Sequence, residues 1–199
     1  MTLPAPVKRT PLHRRIIDCA GYEREDGLWE IEGRLTDTKD YGFRNEWRGT
    51  IEPGVPLHDM LVRLTLDDEM TIVDIAVEMA ATPFAICGAI APDFGKLKGV
   101  RIVSGWNLRL VSLFGGRAGC THVVELLGRM GTVAWQTIPA GRSRREALAQ
   151  GEEPQATQWR GEGRPFYLNG CHAWASNGPL VEKVLPEYYE DPDNPGDRK

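Results

Sequence analysis

The sequence predicts an α+β fold, in which an antiparallel sheet of about four or more strands packs against several helices in a single domain. Strand-like alternation of apolar and polar residues is confined to residues 13–79, and helical spacing of apolar residues follows it. Strands that precede helices in this way are typical of α+β proteins. The 199 residues, of which 41% are hydrophobic, suffice for one domain with a substantial core.

The first two strands are predicted from alternation and from a turn signal. Residues 13–22 alternate, and an Asp-Gly pair then favours a tight turn. In residues 28–38 the apolar residues share one face, namely Trp29, Ile31, Gly33 and Leu35. The same period places Asp37 and Lys39 on that face near the strand end. Residues 42–56, rich in glycine and proline, are predicted to be a loop.

Residues 57–66 and 70–79 show the clearest hairpin pattern, with an acidic turn between them. One face of each arm is apolar, so the hairpin should cover a core with one face and contact water with the other. His58 is in phase with Met60 and Val62. Its side chain is therefore expected on the core face.

Helices are predicted in the second half of the chain. Thr82-Pro83 favours a helix start, because threonine can cap and proline is tolerated in the first turn, and Pro92 is expected to end this helix. A second helical segment is indicated by the spacing of apolar residues from 103 to 114. The longest helix is predicted over residues 119–137, after the entry Gly-Cys-Thr-His.

Composition divides the chain into a core domain and less regular segments. Residues 1–12 are predicted to be a proline-bearing extended arm, and residues 13–188 the α+β domain. Glycine and proline in residues 139–165 predict an irregular excursion or lid, with one short helix at 143–149. The acidic residues 189–199 are predicted to be a disordered tail.

Charge and composition narrow the choice of partners. The net charge of −4 and the lack of a strong basic run argue against nucleic-acid binding. No apolar run approaches about 20 residues, so no membrane partner is expected. The first residues lack the apolar centre of a secretory signal, and four cysteines are too few for a disulfide scaffold. We therefore expect a cytoplasmic protein, with a homodimer as one open oligomeric state.

Two groups of residues are candidates for acid–base chemistry. Asp37, Lys39 and Tyr41 project to one side at a strand end, where they could bind a phenol or a carbonyl and move protons. A surface salt bridge is the structural alternative. His58 could act as a base at the mouth of a pocket, where burial tunes its pKa. A satisfied core histidine is the alternative for that residue.

The helix entry at residues 119–122 suggests thiol or metal chemistry. Unpaired N–H groups in a first helical turn favour the thiolate of Cys120, although free cysteines are commonly buried apolar residues. A zinc site is an alternative to the expectation of no cofactor. Its ligands would be Cys120, His122 and His172, with Cys87 or His58. The absence of a C-x-x-C pair weakens this alternative.

Several motifs together resemble a bacterial family of domains of unknown function. The stretch from Tyr22 to Lys39 contains REDGLWEIEGRLTDTK, which resembles the signature of that family. Further matching motifs are His-x-Met at 58–60, Pro-Phe-x-x-Cys at 83–87, Gly-Cys-Thr-His at 119–122 and Gly-Cys-His at 170–172. The resemblance covers about residues 10–188. It implies a role in bacterial breakdown of aromatic, lignin-derived or steroid-like compounds.

That resemblance favours a small catabolic enzyme acting on a hydrophobic aromatic substrate. The sequence has no phosphate loop, dinucleotide fingerprint or G-x-S-x-G elbow, so cofactor-independent acid–base chemistry is the simplest class remaining. We expect a lyase that cleaves a C–C bond of a phenolic compound and releases formaldehyde. Alternatives are a metal-dependent enzyme or zinc-stabilised domain, and a non-catalytic domain that binds a hydrophobic ligand or a protein.

Residue roles follow from this expectation. His58 would be the base or proton shuttle, Asp37 would orient it, and Lys39 would stabilise an oxyanion, with His122 as a further catalytic group. The residues expected to bind substrate are Arg24, Trp29, Tyr41, Trp106 and Cys120.

Overall fold

A four-stranded antiparallel sheet and several helices form the fold of this chain. The computed structural model describes residues 3–153, 163–165 and 167–191. The strands are β1 (His13–Glu23), β2 (Trp29–Lys39), β3 (Phe43–Asn45), β4 (Gly49–Ile51), β5 (Pro56–Leu66) and β6 (Ile72–Ala81). The main sheet has the order β1-β2-β5-β6, and β3 pairs with β4 in a separate hairpin. The predicted α+β class is confirmed.

The helices follow the sheet in the sequence. They are a 3₁₀ helix (Ala85–Leu97), α1 (Trp106–Phe114), α2 (Thr121–Ala149) and α3 (Pro179–Val184), with 3₁₀ turns at Gly116–Ala118, His172–Trp174 and Pro186–Tyr188. The chain forms two compact units, Met1–Arg142 and Ser143–Lys199. None of the helices in the described ranges is long and apolar enough to cross a membrane.

One face of the sheet is apolar and the other is polar. Alternate residues of β2 and β5 are buried in a single core, together with residues of α1 and α2: Trp29, Ile31, Leu35, Met60, Val62, Leu64, Leu110, Val123, Leu127 and Met130. The opposite face carries ion pairs, such as Arg34–Asp59 and Arg63–Glu32. This segregation is the one that the period-two pattern predicts.

Helix predictions were wrong at two prolines. The segment after Thr82 becomes a 3₁₀ helix that continues past Pro92, and Phe84, directly before this helix, is 47% exposed. Helix α2 likewise continues through Pro139 to Ala149, so the helix predicted at 143–149 is present but belongs to α2, and residues 139–142 are helical as well. The missing N–H at Pro139 costs one helical hydrogen bond, and the buried Ile138 directly before it extends the apolar face of Met130 and Ala134.

The segment predicted as a loop at residues 42–56 also differs from the structure. Two short strands, β3 and β4, occupy part of the predicted loop at 42–56. Most of the remaining excursion, at residues 154–162, lies outside the described residues, as does the tail from residue 192.

Helix α2 approaches the sheet closely at glycine positions, and Gly21 of β1 gives a test of this packing. A Cβ at Gly21 would lie 2.7 Å from Cγ2 and 2.8 Å from Cβ of Thr137. Because the branched Thr137 is stiff, Gly21→Ala is expected to lower the free energy of unfolding by about 1–3 kcal/mol. Urea unfolding measures this. Thr137→Ala in the same chain should recover part of the loss.

Gly88→Ala is the matched control, because nothing lies within 4 Å of a Cβ at that position. This variant should stay within about 0.5 kcal/mol of the parent. Equal effects of the two alanine substitutions would show that close packing at Gly21 is not required.

Candidate active site around Asp37

Three neighbouring strands and the start of α2 bring five polar side chains to one end of the sheet. The β1–β2 pairing places Arg15 opposite Asp37 and His13 opposite Lys39. The β2–β5 pairing places His58 opposite Asp37, just before a bulge. His122 is the second residue of α2. We call His13, Arg15, Asp37, His58 and His122 the Asp37 cluster.

Asp37 is the centre of this cluster, and only 3% of it is exposed. Arg15 donates from Nε to Oδ1 at 2.8 Å and from Nη2 to Oδ2 at 2.7 Å, and Nε2 of His13 lies 2.9 Å from Oδ1. Burial by itself would raise the pKa of Asp37. The hydrogen bonds from Arg15 and His13 outweigh it and hold the pKa well below its usual range. Asp37 is therefore a carboxylate at neutral pH.

Two histidines stack beside this carboxylate. The ring centroids of His58 and His122 are 3.7 Å apart. Nδ1 of His58 lies 3.1 Å from Oδ2 of Asp37, and Nε2 of His122 lies 3.4 Å from the same atom. Burial, with a contribution from His122, lowers the pKa of His58 to about 4 despite the opposing charge of Asp37. Burial and Arg15 also lower the pKa of His122. We therefore take both imidazoles as neutral at pH 7.

The contact of His58 with Asp37 is close but not a well-aligned hydrogen bond. Nδ1 of His58 is buried and has no hydrogen-bond partner among the described residues. The 3.1 Å distance to Oδ2 is therefore an electrostatic contact. A buried, unsatisfied ring nitrogen beside a carboxylate is costly for stability, and such groups are common at functional sites.

The same atoms could hold a metal ion. Ligand atoms of Asp37, His58 and His122 all lie within 4.8 Å of one another. A carboxylate and two imidazoles suit zinc and other transition metals. Arg15 already neutralises this carboxylate through two hydrogen bonds, which reduces the attraction for a divalent cation.

The sequence was compared with protein families, curated proteins and solved structures. Residues 13–136, more than half of the chain, match the family model described as Protein of unknown function (DUF2889). The chain belongs to this family. The motif resemblance to a domain of unknown function is thereby confirmed, and all five cluster residues fall inside the matched range. No curated protein and no solved structure matches the chain.

Three further predicted residues of this DUF2889 chain lie at the cluster's end of the sheet. Lys39 is two residues beyond Asp37, and its Nζ lies 6.0 Å from the ring centroid of Tyr41. Tyr41 is 46% exposed. Sγ of Cys120 lies 3.9 Å from Nδ1 of His122, which places the thiol at the edge of the cluster.

Three other predicted substrate-binding residues are not brought to the cluster. Arg24 pairs with Asp26 and Glu30 beyond the opposite end of β2. Trp29 is 1% exposed and donates from Nε1 to Asp68, and it starts β2 eight residues, roughly 26 Å, before Asp37. Trp106 is buried and donates to the carbonyl of Leu127. These contacts hold the three side chains in the fold.

Of the predicted zinc ligands, His58 and His122 lie together, whereas Cys87 lies in the 3₁₀ helix Ala85–Leu97. His172 is an exposed residue of the unit Ser143–Lys199. Within the described part of the chain, the group of potential ligands that converges is Asp37, His58 and His122 instead.

His13 and Arg15 are the cluster residues that the sequence reasoning missed. The signal that could have found them is the Asp26-Gly27 turn. In an antiparallel hairpin centred on Asp26, each residue pairs with the one that lies equally far along the chain on the other side of the turn. Arg15 therefore lies opposite Asp37 and His13 opposite Lys39, as observed. Strand alternation alone had placed these residues on a face but had given them no partner.

Proposed function

We propose that this protein is a cofactor-independent acid–base enzyme, in which His58 moves a proton on a hydrophobic aromatic substrate. The observation that carries the proposal is the position of the His58 imidazole, whose Nδ1 lies 3.1 Å from a buried carboxylate and whose ring stacks on a second imidazole. A neutral imidazole can accept a proton at pH 7. The imidazolium that results is stabilised by the negative charge of Asp37.

The reaction that fits best is a lyase reaction on a phenolic compound with a hydroxymethyl group. His58 takes the hydroxyl proton, the electron pair of the broken O–H bond forms the C=O bond of formaldehyde, and the adjacent C–C bond breaks. The electron pair of that bond forms a C=C bond and expels an aryl ether oxygen from the next carbon. This oxygen takes the proton from His58. The reaction is redox-neutral, and it needs no external oxidant or reductant.

Other residues near the cluster have supporting roles in this proposal. Lys39, on the same face of β2 as Asp37, stabilises the developing oxyanion with its ammonium group. Asp37 holds the charge of the imidazolium, and Arg15 keeps Asp37 ionised and in position. His122 supports the ring of His58 by stacking. The aromatic class of the substrate rests on the motif resemblance and on the exposed ring of Tyr41.

A metal-dependent enzyme is the second candidate. It is favoured by one observation, the convergence of Asp37, His58 and His122 with Nδ1 of His58 unpaired. In that case His58 would be a ligand rather than a base. The neutralisation of Asp37 by Arg15 places this candidate second.

Formaldehyde release tests the two candidates together. The purified protein should release formaldehyde and a conjugated alkene in equal amounts from a phenolic aryl ether that carries a hydroxymethyl group. The rate should be unchanged by EDTA, and elemental analysis should find less than about 0.1 metal ion per chain, because the proposed reaction needs no bound metal. A colorimetric formaldehyde assay and chromatography of the alkene measure the two products.

An analogue in which the hydroxymethyl group is a methyl group is the substrate control and should give no product. About one zinc per chain, with activity that disappears on chelation, would replace the proposal by the metal-dependent candidate. No turnover of any hydroxymethyl phenol by metal-free or zinc-loaded protein would favour a binding protein over either enzyme.

A further inference from the structure

A cleft beside the Asp37 cluster is lined by two exposed aromatic side chains. Trp47 is 55% exposed and Phe84 is 47% exposed, and their rings meet edge to face with centroids 5.0 Å apart. They line a cavity of about 260 Å³ together with Arg48 and Met79. Large aromatic surfaces left in contact with water at a concave site are typical of ligand pockets.

The walls of this cleft are fixed before any ligand binds. Asn45 donates from Nδ2 to the carbonyl of Pro83 and accepts hydrogen bonds from the backbone N–H groups of Trp47 and Arg48. Arg48 donates from Nη1 to the carbonyls of Pro56 and Leu57. The β3–β4 hairpin is thereby tied to the end of β6 and to the start of β5. A preformed cleft loses less conformational entropy when it binds a rigid molecule.

The cleft lies next to the Asp37 cluster. The carbonyl of Leu57 that accepts from Arg48 directly precedes His58. Met79 pairs with Met60, two residues from His58 and on the same face of β5. Strand spacing and rise then put Met79 roughly 8 Å from His58 between Cα atoms. A molecule with one end in the cleft can therefore extend its other end toward the imidazole.

We infer that this cleft binds the aromatic ring of the substrate, with Trp47 and Phe84 determining specificity for a planar ring. This inference rests on the proposed function. An apolar cavity of about 150 Å³ can hold benzene, so roughly 260 Å³ accommodates one ring with small polar substituents. Met79 supplies a polarisable thioether against the ring, and Arg48 supplies a cation at the polar rim.

Binding of 2-methoxyphenol tests the inference without requiring turnover. Its dissociation constant, measured by titration calorimetry or NMR, should be lower than that of 2-methoxycyclohexanol, which has the same substituents on a non-planar ring. Trp47→Leu and Phe84→Leu should each weaken binding of the phenol by about tenfold, because an aromatic contact is worth about 1.4 kcal/mol. Tyr22→Leu is the matched control. Tyr22 is an aromatic residue of similar exposure, 48%, but it lies at the end of β1 that is remote from the Asp37 cluster.

The outcomes separate this inference from the proposed function. His58→Gln should bind 2-methoxyphenol as the parent does, because His58 does not line the cleft. If the parent protein binds 2-methoxyphenol but releases no formaldehyde from any hydroxymethyl phenol, the cleft assignment stands and the lyase proposal fails. Equal affinity for the planar and the saturated ring, or unchanged affinity in both leucine variants, would overturn the inference. A change of oligomeric state in Trp47→Leu with unchanged ring binding would also overturn it and would assign Trp47 to a subunit contact.

Discussion

Replacing His58 by glutamine is expected to lower kcat for formaldehyde release by about 10²–10⁴-fold, the usual contribution of a positioned base. Glutamine retains the polarity of the side chain but accepts no proton at neutral pH. In the parent, the rate should stay constant from pH 8 down to about pH 5 and fall near pH 4, because burial and His122 lower the pKa of His58 to about 4. A pH–rate profile of kcat/KM measures this acid limb.

The same substitution gives a readout that needs no substrate. The pKa of His58 in the folded chain lies below its unfolded value of about 6.5. Between these two pKa values the unfolded chain binds a proton at His58 and the folded chain does not. The parent should therefore lose stability as the pH falls from about 6.5 to about 4, by about 2–3 kcal/mol. His58→Gln removes this contribution and should reduce the dependence, while the part that comes from the lowered pKa of His122 remains. Urea unfolding between pH 4 and pH 8 measures the difference.

His172→Gln is the matched control, because His172 is exposed and belongs to the other compact unit. It should leave both the rate and the pH dependence of stability unchanged. An acid limb near pH 6.5 that persists in His58→Gln would assign the proton transfer to another group. Full activity of a folded His58→Gln protein would remove His58 from the mechanism.

The sheet could be predicted from the sequence because period-two alternation depends only on local order. Strand β2 has one face of fully buried residues from Trp29 to Leu35, as the alternation indicates. The hairpin of β5 and β6 follows for the same reason. The class of the fold and the core-facing position of His58 therefore needed no tertiary information.

The stacking of His58 and His122 could not be predicted in the same way. His122 reaches β5 only because α2 starts at Thr121 and packs closely on the sheet. That packing depends on small residues at the contact, since a Cβ at Gly33 would lie 2.7 Å from Sδ of Met130. The relative position of a helix and a sheet is set by such long-range contacts, which no local pattern contains.

The helix ends were misplaced because a proline is a weak stop signal when neighbouring side chains are buried. Pro139 removes one hydrogen bond, but the buried Ile138 lies about one turn after the buried Ala134 and continues the apolar side of α2 as far as the proline. Composition therefore predicted an irregular segment where packing extends a helix.

The cluster combines an anionic centre with a cation and neutral rings. Arg15 and His13 keep Asp37 charged, and burial keeps His58 uncharged. A proton arriving on His58 would convert a neutral ring beside a carboxylate into an ion pair. The charge of Asp37 would stabilise that imidazolium, but burial opposes it more strongly, and the pKa of His58 is therefore lowered to about 4.

Asp37→Asn is expected to lower the free energy of unfolding by about 2–4 kcal/mol at pH 7, because it leaves the guanidinium of Arg15 without its buried partner. An asparagine oxygen can still accept one hydrogen bond, but its amide group replaces the second acceptor. Glu125, which also accepts from Arg15, limits the loss. Urea unfolding of the parent and the variant measures the difference.

The pH dependence of the stability difference shows whether Asp37→Asn destabilises the protein by removing a charge or by disturbing the packing. The folded pKa of Asp37 is depressed, so its stabilising contribution is complete above the unfolded value of about 3.9 and is lost as the pH falls below it. The difference between parent and Asp37→Asn should therefore be equal at pH 8 and pH 6 and should shrink below about pH 4. Asp18→Asn, at an exposed carboxylate of β1, is the control and should change stability by less than about 0.5 kcal/mol. A difference that is independent of pH down to pH 2 would show that Asp37 acts through packing, and the carboxylate would then not be the charge that stabilises an imidazolium at His58.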